Sequence, residues 1–301
     1  MNETDLIKQL QDTGKYKVIK KLRPQEIYYE DDGSEKKIAI FLDIESTGTN
    51  IDLHEIIELA MVKFEYNSDD GKIYRIIEEF SEFQEPQKEI SNKITELTGI
   101  TNDMVKGKNI SSDNVQAFIK DIPLILAHNA SFDRQMAEKY FSFFSEKSWG
   151  CSITDVDWEK NGYFKQSLEL LAYKYGFFFD GHRATNDCLA SIHLLSQELP
   201  KSKCLVLNNL LLNARKKLYR INALGKTYSA KDELKERGYK WNGKLWHIDL
   251  KKDLVDSECE WLKDTLEGGL IALVVWGDAQ STGDEGWMDA ENIYEAAMAN
   301  V

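Results

Sequence analysis

From residue 37 onward, apolar positions fall into short continuous runs that alternate with stripes at helical spacing. The first run, IAIFLDIESTG over Ile38–Gly48, is rich in Ile and Leu and closes on two acidic residues and a small polar turn. Such a run predicts a strand buried on both faces, and therefore a central strand of a sheet. Ile56–Phe64 predicts a second strand and the alternating Lys72–Phe80 a third, joined as a hairpin by a turn at residues 67–71. Pro123–Ala127 (PLILA) predicts another buried strand. Between these, residues 86–105 read as helix and loop, and Asn114–Lys120 as a short helix. Helices are expected over Asp133–Phe144, with Ser131 as the cap, over Ser167–Tyr175, and over Asn186–Glu198. Strands alternating with helices predict an α/β domain, a mixed sheet flanked by helices, over residues 37–200.

The flanks follow other patterns. Residues 1–36 form an extension in which Leu6, Ile7 and Leu10 sit at helical spacing, and Val18, Ile19 and Leu22 surround a basic KVIKKLR; it is expected to dock on the domain that follows. Residues 201–227 read as a basic helix or linker. Residues 228–267 read as a small α+β C-terminal module: a helix over Ala230–Arg237, an aromatic hairpin over Tyr239–Ile248, and a helix ending near Leu266. Asn242-Gly243 between aromatic strands is a signal for a two-residue hairpin turn. Residues 268–301 form a tail with six acidic and no basic residues, in which Leu270–Trp276 is strongly apolar.

The 301 residues, 42% of them hydrophobic, suffice for one sizeable core plus a smaller module. No run of about 18 apolar residues is present, which argues against a transmembrane helix. The polar start MNETDLIKQLQDTG lacks a signal-peptide core. Cys151, Cys188, Cys204 and Cys259 lie far apart without a CxxC, which points to reduced thiols in the cytoplasm rather than a structural zinc site. The net charge of −13 argues at first against nucleic acid, but residues 201–252 hold 14 Lys or Arg against 4 Asp or Glu. A local basic patch on an acidic chain is an electrostatic footprint that the total hides.

Candidate chemistry starts at the end of the first strand. Side chains alternate along a strand, so Asp43 and Glu45 point to one side and Ile44 to the other. Two carboxylates held side by side resist joint ionisation unless a cation sits between them, so the pair asks for a divalent metal. The same spacing recurs at Asp157/Glu159, Asp256/Glu258 and Asp289/Glu291, where no apolar strand precedes it and a solvated surface is the better reading. Asp133 opens a helix after the PLILA strand, and His182 and Asp187 lie five apart at a loop-to-helix entry. Taken singly, Asp133 or Asp187 reads as a helix cap and His182 as a loop histidine. His128, at a strand end beside Asn129, reads as a locally bonded histidine.

Together the fragments FLDIESTG, LILAHNASFD and HRATND resemble the DnaQ-like 3′-to-5′ exonucleases, in the branch with a histidine base, and the leading segment and the Tyr228–Leu266 module resemble those attached to some bacterial exonucleases similar to the polymerase III proofreading subunit. The resemblance implies a ribonuclease H-like sheet and a two-metal hydrolysis of phosphodiesters, in which divalent ions ~3.5–4 Å apart serve both the attacking and the leaving oxygen. Asp43, Glu45, Asp133 and Asp187 would be catalytic and hold two Mg²⁺ or Mn²⁺ ions, for which carboxylate oxygens are suitable hard ligands. His182 would take the proton of the attacking water, since an imidazole ionises near ~6.5. Ser46, Thr47, Gly48, Asn129 and Phe132 would shape the place of the terminal nucleotide. In the C-terminal module, Lys235, Lys240 and Lys244 would track phosphates, while Trp241 and Trp246 either stack bases or form the module's core. The implied partner is a single-stranded 3′ end, DNA favoured over RNA, with replication or repair proteins as further partners. The other readings are an RNA-trimming exoribonuclease and a non-catalytic nucleic-acid-binding adaptor.

Overall fold

The computed structural model describes residues 2–216, 218–224, 226–266 and 270–275. They divide into two units, Met1–Ala214 and Arg215–Val301. The first unit begins with α1 (Glu3–Asp12), capped by Asn2, whose side chain accepts the Asp5 N–H at 2.9 Å. No residue of this helix is fully buried; of its apolar stripe Ile7 and Leu10 are half-buried and Leu6 is exposed. The extension is held further on, where β1 (Lys20–Lys21) pairs with a later two-residue strand and Leu22 and Tyr28 pack on the core.

The expected central strand is β2 (Lys37–Ser46), and β3 (Ile56–Tyr66) and β4 (Ile73–Phe83) follow as an antiparallel meander. Three helices come next, α2 (Asn92–Thr98), α3 (Asn102–Val105) and α4 (Ser112–Ile119). After β5 (Leu124–Ala127) comes α5 (Ala130–Tyr140), which gives way to a 3₁₀ turn over Ser142–Glu146 rather than running to Phe144. The unit closes with β6 (Ser148–Cys151), α6 (Leu168–Tyr175), β7 (Phe177–Phe178), α7 (Ala184–Leu195) and α8 (Val206–Ala214). The main sheet has the order β4-β3-β2-β5-β6, with β5 and β6 parallel to β2.

This sheet is buried on both faces, as the continuous apolar run requires. Ala39 and Phe41 pack with α6, α7 and α8 on one side; Ile40, Leu42 and Ile44 pack with α4 and α5 on the other. Phe41 and Leu42 are fully buried, and each such side chain contributes roughly 1.5–3 kcal/mol. That burial holds the strand in place although its end carries mutually repelling carboxylates.

The second unit is a four-stranded sheet of order β11-β8-β10-β9. It comprises β8 (Leu218–Leu224), α9 (Lys231–Glu236), β9 (Lys240–Trp241), β10 (Trp246–Lys251), α10 (Lys252–Thr265) and β11 (Leu270–Val275). Three expectations are corrected. Residues 201–227 are not a basic helix or linker: α8 (VLNNLLLNA) carries no charge and lies in the core of the first unit, and β8 is a strand of the second. The apolar segment of the tail is β11, paired antiparallel with β8; the remainder of the tail, residues 268–269 and 276–301, lies outside the described residues. The hairpin pairs Trp241 with Trp246, so its loop has four residues rather than two: Asn242 Oδ1 accepts the N–H groups of Lys244 and Leu245, and Leu245 turns inward and is buried.

Candidate active site

Asp43 and Glu45 extend the row of Ala39 and Phe41 on β2, the row that faces α7. Asp187 sits in the first turn of that helix, and the three side chains bring carboxylate oxygens within 4.8 Å of one another. Asp133, in the first turn of α5, is buried, close enough to Asp43 for its charge to raise the Asp43 pKa and close enough to Asp187 for that charge to raise its own. Its carboxylate accepts backbone N–H bonds from its own residue, Ile44 and Asn129. The four acidic positions read from the sequence are therefore brought together. The β2–β3 register shifts between Glu45 and Ser46, where an irregularity of this kind re-aims the chain at a site's edge.

The electrostatics are unfavourable without a cation. Burial, then the charges of Asp133, Asp187 and Glu45, push the Asp43 carboxyl well above the usual range. Burial, then Asp187, Glu58 and Asp133, push Glu45 up to about 8. Burial is likewise the main cause that takes Asp133 and Asp187 to about 7. Hard oxygen donors at this spacing, each disfavoured as an anion by burial and, for most of them, by neighbouring carboxylates, fit a divalent cation.

His182 is half-exposed and adopts the left-handed backbone conformation at φ 60°, unusual for a residue with a Cβ. Its Nε2 lies 3.6 Å from Glu169 Oε1. His128 is fully occupied elsewhere: Nδ1 lies 2.8 Å from Ser152 Oγ and Nε2 donates to the Gln166 carbonyl at 2.7 Å. Burial pushes its pKa down, in keeping with a neutral, locally bonded imidazole.

A cleft of about 430 Å³ opens beside the carboxylates, lined by Glu45, Ser46, Gly48, Asn129 and Phe132 among others. Thr47 does not line it; its hydroxyl accepts the Glu55 N–H at 3.0 Å and lies 3.1 Å from His54 Nδ1, closing the loop after β2. A Cβ on Gly48 would stand 2.5 Å from the His54 ring, so glycine is needed there for the loop's own packing. The proposed cap Ser131 is inside α5: Asn129 occupies the cap position without a side-chain bond to the helix, and Ser131 Oγ donates to Asn129 Oδ1 at 2.8 Å. Lys235, Lys240 and Lys244 are exposed and belong to the second unit. There Trp246 packs on the core and Trp241 is 51% exposed.

Two groups escaped the sequence reading. Ile94, Leu97 and Thr98 of α2 form a further wall of the cleft; the LTGIT segment was visible but carries no ionisable group to draw attention. Glu58, opposite Glu45 in the β2–β3 register, is almost wholly buried and paired with Arg183. The available signal was a glutamate inside the apolar run IIELAMV.

A five-stranded mixed sheet flanked by helices, with acidic groups gathered where its central strand ends, defines a ribonuclease H-like α/β domain. The sequence profile of the exonuclease family matches residues 40–195, a little over half of the chain. The chain belongs to this family, the DnaQ-like 3′-to-5′ exonucleases. It is similar to the PolC-type DNA polymerase III of Halalkalibacterium halodurans, 42% identical over 97 residues, which cover 31% of this chain and 6% of the relative. With the PolC-type DNA polymerase III of Clostridium perfringens it is 31% identical over 170 residues, 54% of this chain and 11% of the relative. Across the curated relatives compared, the chain spans 6% to 13% of their length. Among solved structures, E. coli exonuclease I in complex with a dT13 oligonucleotide aligns with a TM-score of 0.47 and 15% identity, covering 88% of this chain and 71% of that one.

Proposed function

We propose that this chain is a metal-dependent exonuclease that removes nucleoside 5′-monophosphates from single-stranded DNA 3′ ends, in proofreading or repair. The observation that carries the reading is the set of buried and half-buried carboxylates, three of them with oxygens within 4.8 Å, beside a cleft of nucleotide size. Asp43, Glu45 and Asp187, with Asp133, would hold two Mg²⁺ or Mn²⁺ ions. When bound, such ions supply Lewis-acid stabilisation of charge on the phosphoryl oxygens and lower the pKa of water.

The chain's own residues do the rest. His182, half-exposed and with its Nε2 3.6 Å from Glu169 Oε1, accepts the proton of the attacking water. The apolar wall of Phe132, Leu97 and Ile94 takes the terminal base, while Ser46, Gly48 and Asn129 meet the sugar. In the second unit, exposed Lys235, Lys240 and Lys244 attract the phosphates of the incoming strand, with Trp241 offering a face for stacking. DNA is favoured over RNA because the curated relatives are DNA polymerases, and the partners inferred are replication or repair proteins. No helix among the described residues is long and apolar enough to cross a membrane, and the free thiols of all four cysteines suit a reducing cytoplasm.

The test is digestion of matched 3′-labelled single-stranded DNA, RNA and 3′-mismatched duplex, each with Mg²⁺ and with EDTA. Mononucleotide release from DNA that needs metal is the expected result. Asp43→Ala should reduce it by at least ~10²–10³-fold while the fold survives. Parental rates in Asp43→Ala and Asp187→Ala would overturn the assignment, and faster release from RNA would move the substrate.

A further inference from the structure

His182 is held in a conformation that a residue with a Cβ adopts only when its surroundings impose it, and the surroundings that do so can be named. On its C-terminal side the backbone N–H of Arg183 donates to Asp187 Oδ2 at 3.1 Å. On its N-terminal side Asn186 Nδ2 donates to the Asp180 carbonyl at 2.8 Å. The turn is thus tied at both ends to the first turn of α7.

The remaining tie leaves the turn altogether. The Arg183 guanidinium reaches Glu58 on β3, Nε to Oε2 at 3.2 Å and Nη2 to Oε1 at 3.3 Å, and lies 5.7 Å from the centre of the Phe83 ring on β4. Glu58 also accepts Ser81 Oγ at 3.0 Å and the Ala184 N–H at 3.4 Å. Its side chain is 1% exposed, so an ionised Glu58 needs a cation, and Arg183 is the neighbour in the next strip of chain to His182. Only the Glu58 side of the pair is buried, Arg183 being 41% exposed, and an ion pair of this kind is weak evidence of a stabilising role, so its position needs another reason. Here it fastens the residue adjoining the base to the sheet that carries Asp43 and Glu45.

We propose that Glu58 and Arg183 are a positioning pair that fixes the His182 backbone, and so the imidazole, relative to the carboxylates of β2. The inference rests on the reading of His182 as the general base. Neither residue touches the reacting atoms; both act through His182. The planar fork of Arg183 engages both oxygens of Glu58, so lysine is an incomplete replacement.

The experiment is a double-mutant cycle: Arg183→Gln in the parent and in a His182→Ala background, measuring kcat and KM on single-stranded DNA and the half-saturating Mn²⁺ concentration. A misplacement of about 1 Å costs on the order of 10²-fold, so Arg183→Gln is expected to lower kcat about 10- to 100-fold. KM and half-saturating Mn²⁺ should stay within about twofold, Arg183→Lys should recover part of the loss, and in His182→Ala the substitution should cost less than about twofold. Equal losses in both backgrounds, or a change confined to KM or to Mn²⁺ dependence, would overturn the proposal. Parental activity in His182→Ala would instead overturn the reading of the base. If Arg183→Gln does not fold by circular dichroism, Arg183→Lys carries the same cycle and the same criteria.

Discussion

Asp187→Asn is expected to stabilise the metal-free protein at neutral and alkaline pH while it abolishes activity. Asp187 is buried, and its carboxyl is pushed from the ordinary 3.8 to about 7, first by burial and then by Glu169 and Glu58, against the N–H donors of Arg183 and His182. A folded-state pKa above the unfolded one means that the folded state binds the proton more tightly. The stability this contributes is fully present below pH ~4 and is lost as pH rises through about 7. A shift of roughly 3 units corresponds to about 4 kcal/mol at pH 8. This is an upper bound, because Asp43, Glu45 and Asp133 are raised in the same pH range and their protons are shared. Asparagine removes the charge, keeps an oxygen to accept the Arg183 N–H, and is close in shape. In EDTA, urea denaturation should find the variant about 2–4 kcal/mol more stable than the parent at pH 8 and equal within ~1 kcal/mol at pH 4. Saturating Mg²⁺ should raise the parent more than the variant, since it binds the folded state through the group that was removed. If the variant is less stable than the parent at pH 8 in EDTA, or if the difference between them is the same at pH 4 and pH 8, the carboxylates are not in conflict and the argument for a cation between them fails.

Other outcomes follow from single contacts. Reversing the charge of Lys235, Lys240 and Lys244 together should weaken binding of single-stranded DNA in a salt titration. At ~0.7 per phosphate contact the slope of log K against log salt should fall by up to about 2, and an unchanged slope would leave the second unit as scaffold. Gly48→Ala places a Cβ 2.5 Å from the His54 ring, so the ring must leave and its contact with Thr47 is lost. Steady-state kinetics should show a raised KM with unchanged half-saturating metal, and melting should show a loss of ~1–3 kcal/mol. A parental KM would show that the loop after β2 does not shape the nucleotide's place.

What was legible in the sequence was whatever one local rule decides. IAIFL reads as a buried strand because a short apolar run rich in Ile and Phe that ends at a turn suits a strand better than a helix, and β2 is that strand. β6 escaped because SWGC is four residues long and lacks alternation. The basic excess of residues 201–252 blurred two different elements: averaged over the window it described a basic linker, but the charge lies outside the apolar α8, and Leu207 and Leu210 are fully buried. The acidic balance of the tail concealed β11 in the same way. Asn242-Gly243 has the form of a complete two-residue turn, yet Leu245 is buried in the core and two more residues enter the loop. Glu58 is not legible because a charge within an apolar run is ordinarily a strand's exposed face, and its partners Arg183, Ser81 and the Ala184 N–H, which make its burial tolerable, are met only in three dimensions.

The convergence of residues as distant as Asp43 and Asp187 follows from the strand order. β5 runs parallel to β2 and beside it, so both strands point their C-terminal ends to the same edge of the sheet, the edge where open α/β sheets bind ligands. The chain leaving β5 enters α5 within three residues, which allows Asp133 no other place than that edge. α7 packs across β2 and β3 through Cys188 and Ile192, so its first turn, with Asp187, is delivered above the ends of those strands. Antiparallel β3 brings Glu58 into register with Glu45 from the opposite direction. Each acidic group therefore arrives by an independent packing decision made in the apolar core, and no attraction among the groups is needed to assemble them. That is why the site can be built against its own repulsion, and why the repulsion remains available to favour a cation.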